Sequence, residues 1–433
     1  MIDYVFVTFS HLKIDIFSIS ITLLKFVIIL RDKIIINLKF LIMKHIFLFL
    51  LVLLLGVSVY SCKDEFVTDQ PEGLILKNGS VLTDTELLGR YLFFDMNLSD
   101  PAGVQSCATC HGPEVGYTGP HEAINKAGAV YEGAFPGRFG DRKPPSAAYG
   151  GDSPILHFDG DHWIGGMFWD GRATGWTLGD PLAEQALGPF LNPMEQNISS
   201  PADVIQIIKD SEYATLFESV YPGSLNGDVT EAYNNVGRAI AAYERSAEVS
   251  SFTSKFDYFL AGKAKLTGQE EWGLQLFNGK GKCNLCHASI GVRPLFTDFK
   301  YDNLGVPKNP LNPYYLANPD FVDFGLGGYL QSAGFDESVW SAEWGKHKVP
   351  TLRNVDKRPY KKFTKAYTHN GVFKSLEEVV HFYNTRDVGN WPAPEVAENV
   401  NNVEMGNLGL NLGEELAIVA FMKTLSDGYV LKK

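Results

Sequence analysis

Cysteine usage constrains this chain more than any other feature, because four of its five cysteines stand in two copies of one pattern. Each copy reads Cys-x-x-Cys-His: the residues are Cys107, Cys110 and His111 in the first, and Cys283, Cys286 and His287 in the second. In such a pentad the thiols form thioether bonds to the vinyl groups of a haem, and the histidine becomes an axial ligand of its iron. We therefore expect two covalently bound haem c groups and redox chemistry.

The alternatives for a single Cys-x-x-Cys pair are a zinc knuckle and a thioredoxin-like dithiol. Neither of them requires a histidine directly after the second cysteine, and isolated disulfides do not require one either. Because the histidine follows both pairs in this chain, the pattern favours haem attachment over all three.

The N-terminal part has the features of a secretory leader. Residues 46–59 are apolar almost throughout and follow a basic start at Met43, which is typical of a signal peptide. Cys62 resembles the lipobox cysteine that is acylated after cleavage. We expect residues 1–62 to be leader, with 1–42 not translated; an additional membrane span within 1–42 is the alternative. An exported protein follows, periplasmic or in the outer membrane and held there only by a lipid at Cys62.

The remaining pattern predicts mostly α structure with long loops. Thr83 and Glu86 form a capping box at the start of a helix before the first pentad, and a similar helix precedes the second. This repeated order indicates a duplicated cytochrome c-like module. Apolar residues between 229 and 243 recur with helical spacing. A last helix is expected from about 413 to 425, with a buried face made of Leu416, Val419, Ala420 and Phe421.

Length and duplication together predict two domains after the leader. We expect a linker at 63–74, an N-terminal haem domain at 75–250 that reacts with peroxide, and a C-terminal electron-transfer haem domain at 251–433. The formal net charge is −12 and the sequence has no long basic run. Nucleic acid is therefore not an expected partner.

Beyond the pentads, the chain resembles the bacterial dihaem cytochrome c peroxidase/MauG family over residues 75–428. The segments that carry this resemblance are 88–95, 168–173, 184–189, 242–245, 349–354 and 376–380. The resemblance implies two cytochrome c-like haem domains packed around an inter-domain groove. It also implies that peroxide reacts at the first haem and that the second haem stores electrons.

Three residues match positions that act in the family. Glu195 matches the carboxylate over the first haem, where moving a proton between the two oxygens of peroxide requires such a group. Gln185 matches a position in the same pocket, and Trp169 matches the tryptophan that relays electrons between the haems. The structural alternatives are a solvated loop glutamate, a helix-surface glutamine and a core tryptophan.

The sixth ligand of the second haem distinguishes the two branches of the family. Peroxidases place a methionine there and the MauG branch places a tyrosine; Tyr383 stands at this position in the chain. A phenolate stabilises ferric iron, whereas a thioether stabilises ferrous iron. Tyr383 thus favours the MauG-like branch, and ligation by Met405 or His381 is the alternative.

A mobile histidine closes the first site in many family members, and this chain departs from that pattern. Residues 122–156 contain no histidine. His121, His157 and His162 flank the segment without matching the family position. The resemblance therefore implies an open first site.

Members of the family bind a calcium ion between their domains through an asparagine side chain and backbone carbonyls. The resemblance leaves open whether this chain binds calcium. Lys143 stands at the position of the asparagine, while Thr364 and the carbonyl of Ala366 match the other ligands. A lysine ammonium in place of the cation is the alternative.

Three functions from different classes follow. The first is a haem-dependent enzyme that reduces hydrogen peroxide with electrons from a small periplasmic donor, a cytochrome c or a cupredoxin. The second is a MauG-like oxidase that modifies tyrosine or tryptophan of a protein substrate. The third is a dihaem electron-transfer cytochrome without catalysis. Glu195 and the missing histidine favour catalysis.

Overall fold

The computed structural model describes residues 79–431, so the expectations for residues 1–62 and for the linker at 63–74 fall outside the described part. In the first half the elements are α1 (Asp84–Phe94), α2 (Cys107–Cys110), α3 (Glu122–Lys126), β1 (His157–Phe158), β2 (Trp163–Ile164), α4 (Pro181–Leu191), α5 (Pro201–Lys209), α6 (Ala214–Val220) and α7 (Val229–Arg245). A short 3-10 helix covers Pro113–Val115.

The second half repeats this helical character. Its elements are α8 (Lys255–Leu260), α9 (Gly268–Asn278), β3 (Tyr301–Asp302), α10 (Pro313–Ala317), α11 (Gly325–Ser332), α12 (Glu337–Trp340), β4 (His347–Lys348), α13 (Leu376–Thr385) and α14 (Leu412–Lys423), with 3-10 helices at Cys283–Leu285 and Ser341–Glu343. The strands form two antiparallel pairs, β1 with β2 and β3 with β4. The prediction of mostly α structure with long loops is confirmed.

Two large hydrophobic cores organise most of the helices, and two smaller clusters lie beside them. One large core contains buried residues from Leu88 to Val249 and the other contains buried residues from Phe256 to Leu425. Residues 79–431 nevertheless belong to one compact unit, so the division at residue 250 stays a prediction. Within this described range, no helix is both long enough and apolar enough to cross a membrane.

The same helix crossing builds each core. Gly89 of α1 lies against α7, where a Cβ atom would be only 1.9 Å from the carbonyl oxygen of Ala239. Gly273 of α9 lies against α14, and its Cβ would be 1.9 Å from the carbonyl oxygen of Ala417. Glycine therefore lets the first and last helices of each module touch backbone to backbone. This equivalence supports the predicted duplication.

Alanine at Gly273 should destabilise the protein, because its methyl group would overlap the backbone of α14. Overpacking of this kind costs about 1–3 kcal/mol or more, which lowers the Tm by several degrees. Gly268→Ala is the matched control, since it lies at the start of the same helix with no atom within 4 Å of a new Cβ. Thermal unfolding followed by circular dichroism measures both. Equal Tm values would contradict this account of the crossing.

Capping interactions fix where the helices begin. The Thr83 hydroxyl accepts from the Glu86 backbone N–H, and the Glu86 carboxylate accepts from the Thr83 N–H, which confirms the predicted capping box. Thr267 and Glu270 form the same box at α9. The last helix was predicted at about the right place, but Leu416 is 40% exposed. Val419 and Phe421 are buried as predicted, and Ile418 is buried where Leu416 is not, because the face that packs on α9 is set by the crossing at Ala417.

Candidate functional site

The first pentad begins with the single helical turn α2. Its backbone brings the His111 N–H to 2.9 Å from the carbonyl oxygen of Cys107. The His111 ring donates through Nδ1 to the carbonyl oxygen of Tyr117 at 3.1 Å, so its hydrogen is used and Nε2 keeps a free lone pair. Burial lowers the pKa of His111 to about 4. A neutral imidazole held by a carbonyl is the usual state of a metal-ligating histidine.

The second pentad has the same construction. The His287 N–H lies 2.9 Å from the carbonyl oxygen of Cys283, and Nδ1 donates to the carbonyl oxygen of Phe296 at 2.8 Å. Burial lowers the pKa of His287 as well. Tyr117 and Phe296, which carry the accepting carbonyls, both have φ near +55°. In both loops, a residue with positive φ therefore provides the carbonyl oxygen that fixes the histidine ring.

Each pentad lines a separate cavity, and the residues present fit a c-type haem in both. The first cavity has an open space of about 660 Å³ and contains Cys107, Cys110 and His111 in its wall. The second is larger, about 1530 Å³, and Cys283, Cys286 and His287 line it. All four cysteines are free thiols. An unpaired imidazole nitrogen and two thiols beside an open space are the donor set that haem attachment requires.

The first cavity brings together the predicted pocket residues Gln185 and Glu195 with His111. Glu195 accepts a hydrogen bond from Asn192 Nδ2 at 3.1 Å, which holds its carboxylate in place. Burial raises the pKa of Glu195 above its ordinary value, although the Arg172 charge partly offsets this. A carboxylate held in place in this way can accept a proton and return it, as general acid–base catalysis requires.

A second carboxyl group in this cavity was missed by the sequence reasoning. Glu244 lines the wall near Cys107, its Oε2 atom is buried without a hydrogen-bond partner, and burial raises its pKa to about 8. The signal was present in the sequence: Glu244 follows Ile240 by one helical turn and so places an acid on the buried face of α7. A buried acid at this pKa holds a proton at neutral pH.

The duplication shows why the two cavities differ. The distal helices α4 and α13 start at the caps Asp180 and Ser375. Counted from these caps, Gly188 occupies the position of Tyr383. Helix α4 therefore carries no phenol at the position that Tyr383 has in α13.

Tyr383 lines the second cavity together with Met405 and the pentad residues. Its phenol is enclosed by protein, and burial raises its pKa. His381 does not line this cavity; its Nδ1 lies 3.0 Å from Glu415 Oε1 and its side chain is 53% exposed. Of the three ligand candidates, the structure thus brings Tyr383 and Met405 to the second pentad and turns His381 away.

Trp169 is buried and stands at the junction of the two halves. Its indole N–H donates to the carbonyl oxygen of Lys143 at 2.9 Å, and its own carbonyl accepts from the N–H of Lys348 at 2.8 Å. It lines the second cavity, while the adjacent Phe168 lines the first. His369 meets the indole edge-on with ring centroids 6.5 Å apart. Trp169 is therefore fixed between the two cavities.

Charged side chains tie the halves together beside Trp169. Arg142 donates to Asp170 at 2.6 Å and, through two nitrogens, to both carboxylate oxygens of Asp323. Burial alone would raise the pKa of the Asp323 carboxyl. The charge of the Arg142 guanidinium and its hydrogen bonds outweigh this effect and hold the pKa of Asp323 well below its usual range. The junction is held by charge-assisted hydrogen bonds as well as by packing.

The histidines that flank the segment 122–156 do not reach the first cavity. His121, His157 and His162 are all exposed, and none of them is among the described residues that line it. The ring of His121 lies against Tyr131 instead. An open first site stays a prediction.

The residues between the two halves do not fit calcium. Lys143 Nζ, at the position of the expected asparagine, donates to Thr118 Oγ1 and to the carbonyl oxygen of Pro144, each at 2.8 Å. The carbonyl oxygen of Thr364, another residue of the expected set, accepts from Asn125 Nδ2 at 3.1 Å. Calcium requires six to eight oxygen ligands, and the oxygens of Thr118, Pro144 and Thr364 already accept hydrogen bonds from protein donors.

Comparisons with known proteins agree with this geometry. Residues 83–265 match the family described as di-haem cytochrome c peroxidase. The methylamine utilization protein MauG of Paracoccus denitrificans is 37% identical over 361 residues, which cover 78% of this chain and 88% of the relative. Cytochrome-c peroxidase IdrP2 of Denitromonas iodatirespirans is 28% identical over 352 residues, 78% of this chain and 80% of the relative. The solved structure of the diheme peroxidase BthA from Burkholderia thailandensis is similar with a TM-score of 0.69 and 32% identity, covering 81% of this chain and 88% of that chain.

Proposed function

Because the chain belongs to the dihaem cytochrome c peroxidase/MauG family, whose members are haem-dependent oxidoreductases with two c-type haems, we propose that it reduces hydrogen peroxide with electrons from a small donor protein. A cytochrome c or a cupredoxin is the expected donor. The reaction converts one peroxide into two water molecules and consumes two electrons and two protons. When bound, the haems supply the iron that accepts peroxide and the store for these electrons.

The observation that carries this proposal is that Glu195 lines the first cavity, while the flanking residues His121, His157 and His162 do not. His111 lines the same cavity as Glu195 and Gln185. In our proposal the Glu195 carboxylate takes a proton from one oxygen of peroxide and returns it to the other, so that water can leave. Asn192 keeps the carboxylate in position, and Gln185 hydrogen-bonds the substrate. A carrier that only transfers electrons would have no use for a buried carboxyl group over an open site.

Trp169 is proposed to relay electrons between the two sites. Its N–H bond to the Lys143 carbonyl fixes the plane of the indole, and a single step across the full separation of two haem pockets would be slower than two shorter steps. The enclosure of Trp169 by backbone and by His369 also excludes water. In this arrangement the indole would exchange electrons without large reorganisation.

A second candidate function is favoured by Tyr383. A phenolate on the second iron stabilises its ferric form, which suits an oxidase better than an enzyme that must first be reduced. The similarity to the protein MauG supports the same alternative. In that case the chain would use peroxide to oxidise tyrosine or tryptophan side chains of a protein substrate, with Glu195 in the same role.

Two measurements distinguish these functions. Steady-state consumption of peroxide is measured with reduced cytochromes c and cupredoxins as donors. Proteins that co-purify with the chain are analysed by mass spectrometry before and after peroxide treatment. Rapid donor oxidation with unmodified co-purifying proteins supports the peroxidase. New cross-links or added oxygen in one partner, with slow donor oxidation, would contradict it in favour of the oxidase.

Export and anchoring belong to the same proposal, because c-type haem is attached outside the cytoplasm. We expect Cys62 to carry a lipid in the mature protein, which would hold an otherwise water-exposed enzyme at a periplasmic or outer membrane surface. Labelled fatty acid should appear on the wild-type chain and be absent from Cys62→Ser, which should be released from the membrane. Wild-type protein without acyl mass would contradict the anchor.

A further inference from the structure

Two lysine side chains are buried between the halves without a carboxylate partner. Lys365 is 4% exposed and Lys143 is 8% exposed. Among the ion pairs of residues 79–431, neither lysine takes part in any. A buried charge is costly unless it is paired or fully hydrogen-bonded. The burial of these two amino groups therefore requires a compensating interaction that an exposed lysine does not need.

Lys365 fills a cage of backbone oxygens. Its Nζ donates to the carbonyl oxygens of Val115 at 2.8 Å, Asn354 at 3.1 Å and Lys357 at 3.1 Å. Three acceptors around one nitrogen use three N–H donors, which only the protonated amine has. Burial and the neighbouring Lys143 act against this charge and lower the pKa of Lys365. The three carbonyls offset that effect by surrounding the ammonium with negative partial charge.

The cage joins the loop after His111 to a segment that lines the second cavity. Val115 ends the 3-10 helix that follows His111, and Asn354 closes the segment 349–354 that lines the second cavity. Gly116, next to Val115, packs against Asn354 so closely that a Cβ would lie 2.6 Å from the Asn354 Cβ. A cation at this point therefore connects this loop and this segment, as a divalent ion between the domains would.

Both lysine side chains also border the second cavity, and burial lowers the pKa of Lys143 to about 7. Lys143 and Lys365 line it together with His287. Haem carries two carboxylates of its own, and these are the anions that can balance two buried positive charges. Among residues 79–431 no carboxylate forms an ion pair with either lysine, and a haem bound in this cavity would supply the counter-charge.

We infer that the Lys365 ammonium group, with Lys143 beside it, is the cation between the two halves of this chain, and that it replaces calcium and would balance the carboxylates of a bound haem. The protein is then independent of calcium. This inference rests on the haem content and not on which reaction the enzyme performs. Its tests therefore fail separately from those of the proposed function.

The first test uses the wild-type protein with both haems attached. Metal content is measured by mass spectrometry, and the Tm and the reduction potentials of both haems are measured in excess EDTA and in excess calcium. We expect no stoichiometric calcium and no shift of either quantity between the two solutions. One calcium per chain, or a shift caused by EDTA, would overturn the inference.

The second test removes the ammonium groups. Lys365→Met should lower the reduction potential of the second haem, because a positive charge near its carboxylates favours the ferrous form. Lys143→Met should shift the potential in the same direction and serves if Lys365→Met does not fold. Lys362→Met is the matched control, since Lys362 is exposed on the same segment. Unchanged potentials in both buried-lysine variants would overturn the role of these charges.

The third test returns oxygen ligands to the cage. Lys143→Asn combined with Lys365→Ala frees three carbonyls and adds an amide oxygen, and such neutral oxygens are ligands that calcium accepts. We expect this double variant to bind calcium and to lose Tm in EDTA, unlike the wild type. A double variant with the same Tm in EDTA and in calcium would contradict the assignment of this cage as the cation site.

Discussion

Glu195→Gln is expected to slow peroxide consumption by about 10²-fold or more, which is the usual size of a general acid–base contribution. Glutamine keeps the shape of the side chain and can still accept from Asn192, but it cannot take up a proton. The absorption spectra of both haems should stay nearly unchanged. Steady-state turnover and spectra of the same preparation measure this. Glu212→Gln, at an exposed position of the same half, is the control and should behave as wild type.

The acid side of the pH profile provides a second readout for Glu195. Burial raises the pKa of this carboxyl above that of an exposed glutamate, and only the ionised form accepts a proton. As the pH falls through this raised pKa, the ionised fraction and the rate decrease together. The decrease should therefore begin at a higher pH than an exposed glutamate would cause, and Glu195→Gln should lack it. A variant with wild-type turnover and an unchanged acid limb would show that another group moves the proton.

Tyr383→Met is expected to raise the reduction potential of the second haem. Axial ligands set haem potentials over a span of about 0.8 V, and a thioether favours ferrous iron where a phenolate favours ferric iron. Spectroelectrochemical titration measures the shift. The variant should also lose the ability to react with peroxide before it is reduced, because its second haem would no longer favour high oxidation states.

Met405 lines the same cavity, so the ligand must be assigned by paired variants. Tyr383→Phe removes only the oxygen and should change the spectrum of the second haem from low-spin to high-spin. Met405→Leu should leave that spectrum unchanged. The opposite pattern would make Met405 the ligand and would remove the argument for a MauG-like second site.

Local patterns in the sequence predicted the helices well, because caps and apolar spacing act within one turn. The Thr83 and Glu86 box appears as expected, and α7 begins at the first residue of the predicted apolar repeat. Leu416 was assigned to the wrong face since periodicity alone does not show which neighbour a helix meets. The contact at Gly273 decides that face, and it joins residues far apart in the chain.

The site was predictable where a motif carries the chemistry and not where tertiary packing does. The pentads, Glu195, Gln185 and Tyr383 reach their cavities as expected. The environment of Lys365 was not predictable, because its three carbonyl partners come from two separate loops. The turning of His381 toward Glu415 likewise depends on the packing of α13 against α14.

The central claim is that the first site is open in the fully oxidised protein while the second haem carries Tyr383. Resonance Raman spectroscopy of the resting protein, followed by stopped-flow mixing of the same sample with hydrogen peroxide, tests this most directly. We expect one high-spin and one low-spin ferric haem, and a reaction with peroxide that needs no prior reduction. Two low-spin ferric haems that react only after one-electron reduction would contradict the account and indicate a closed, methionine-ligated peroxidase.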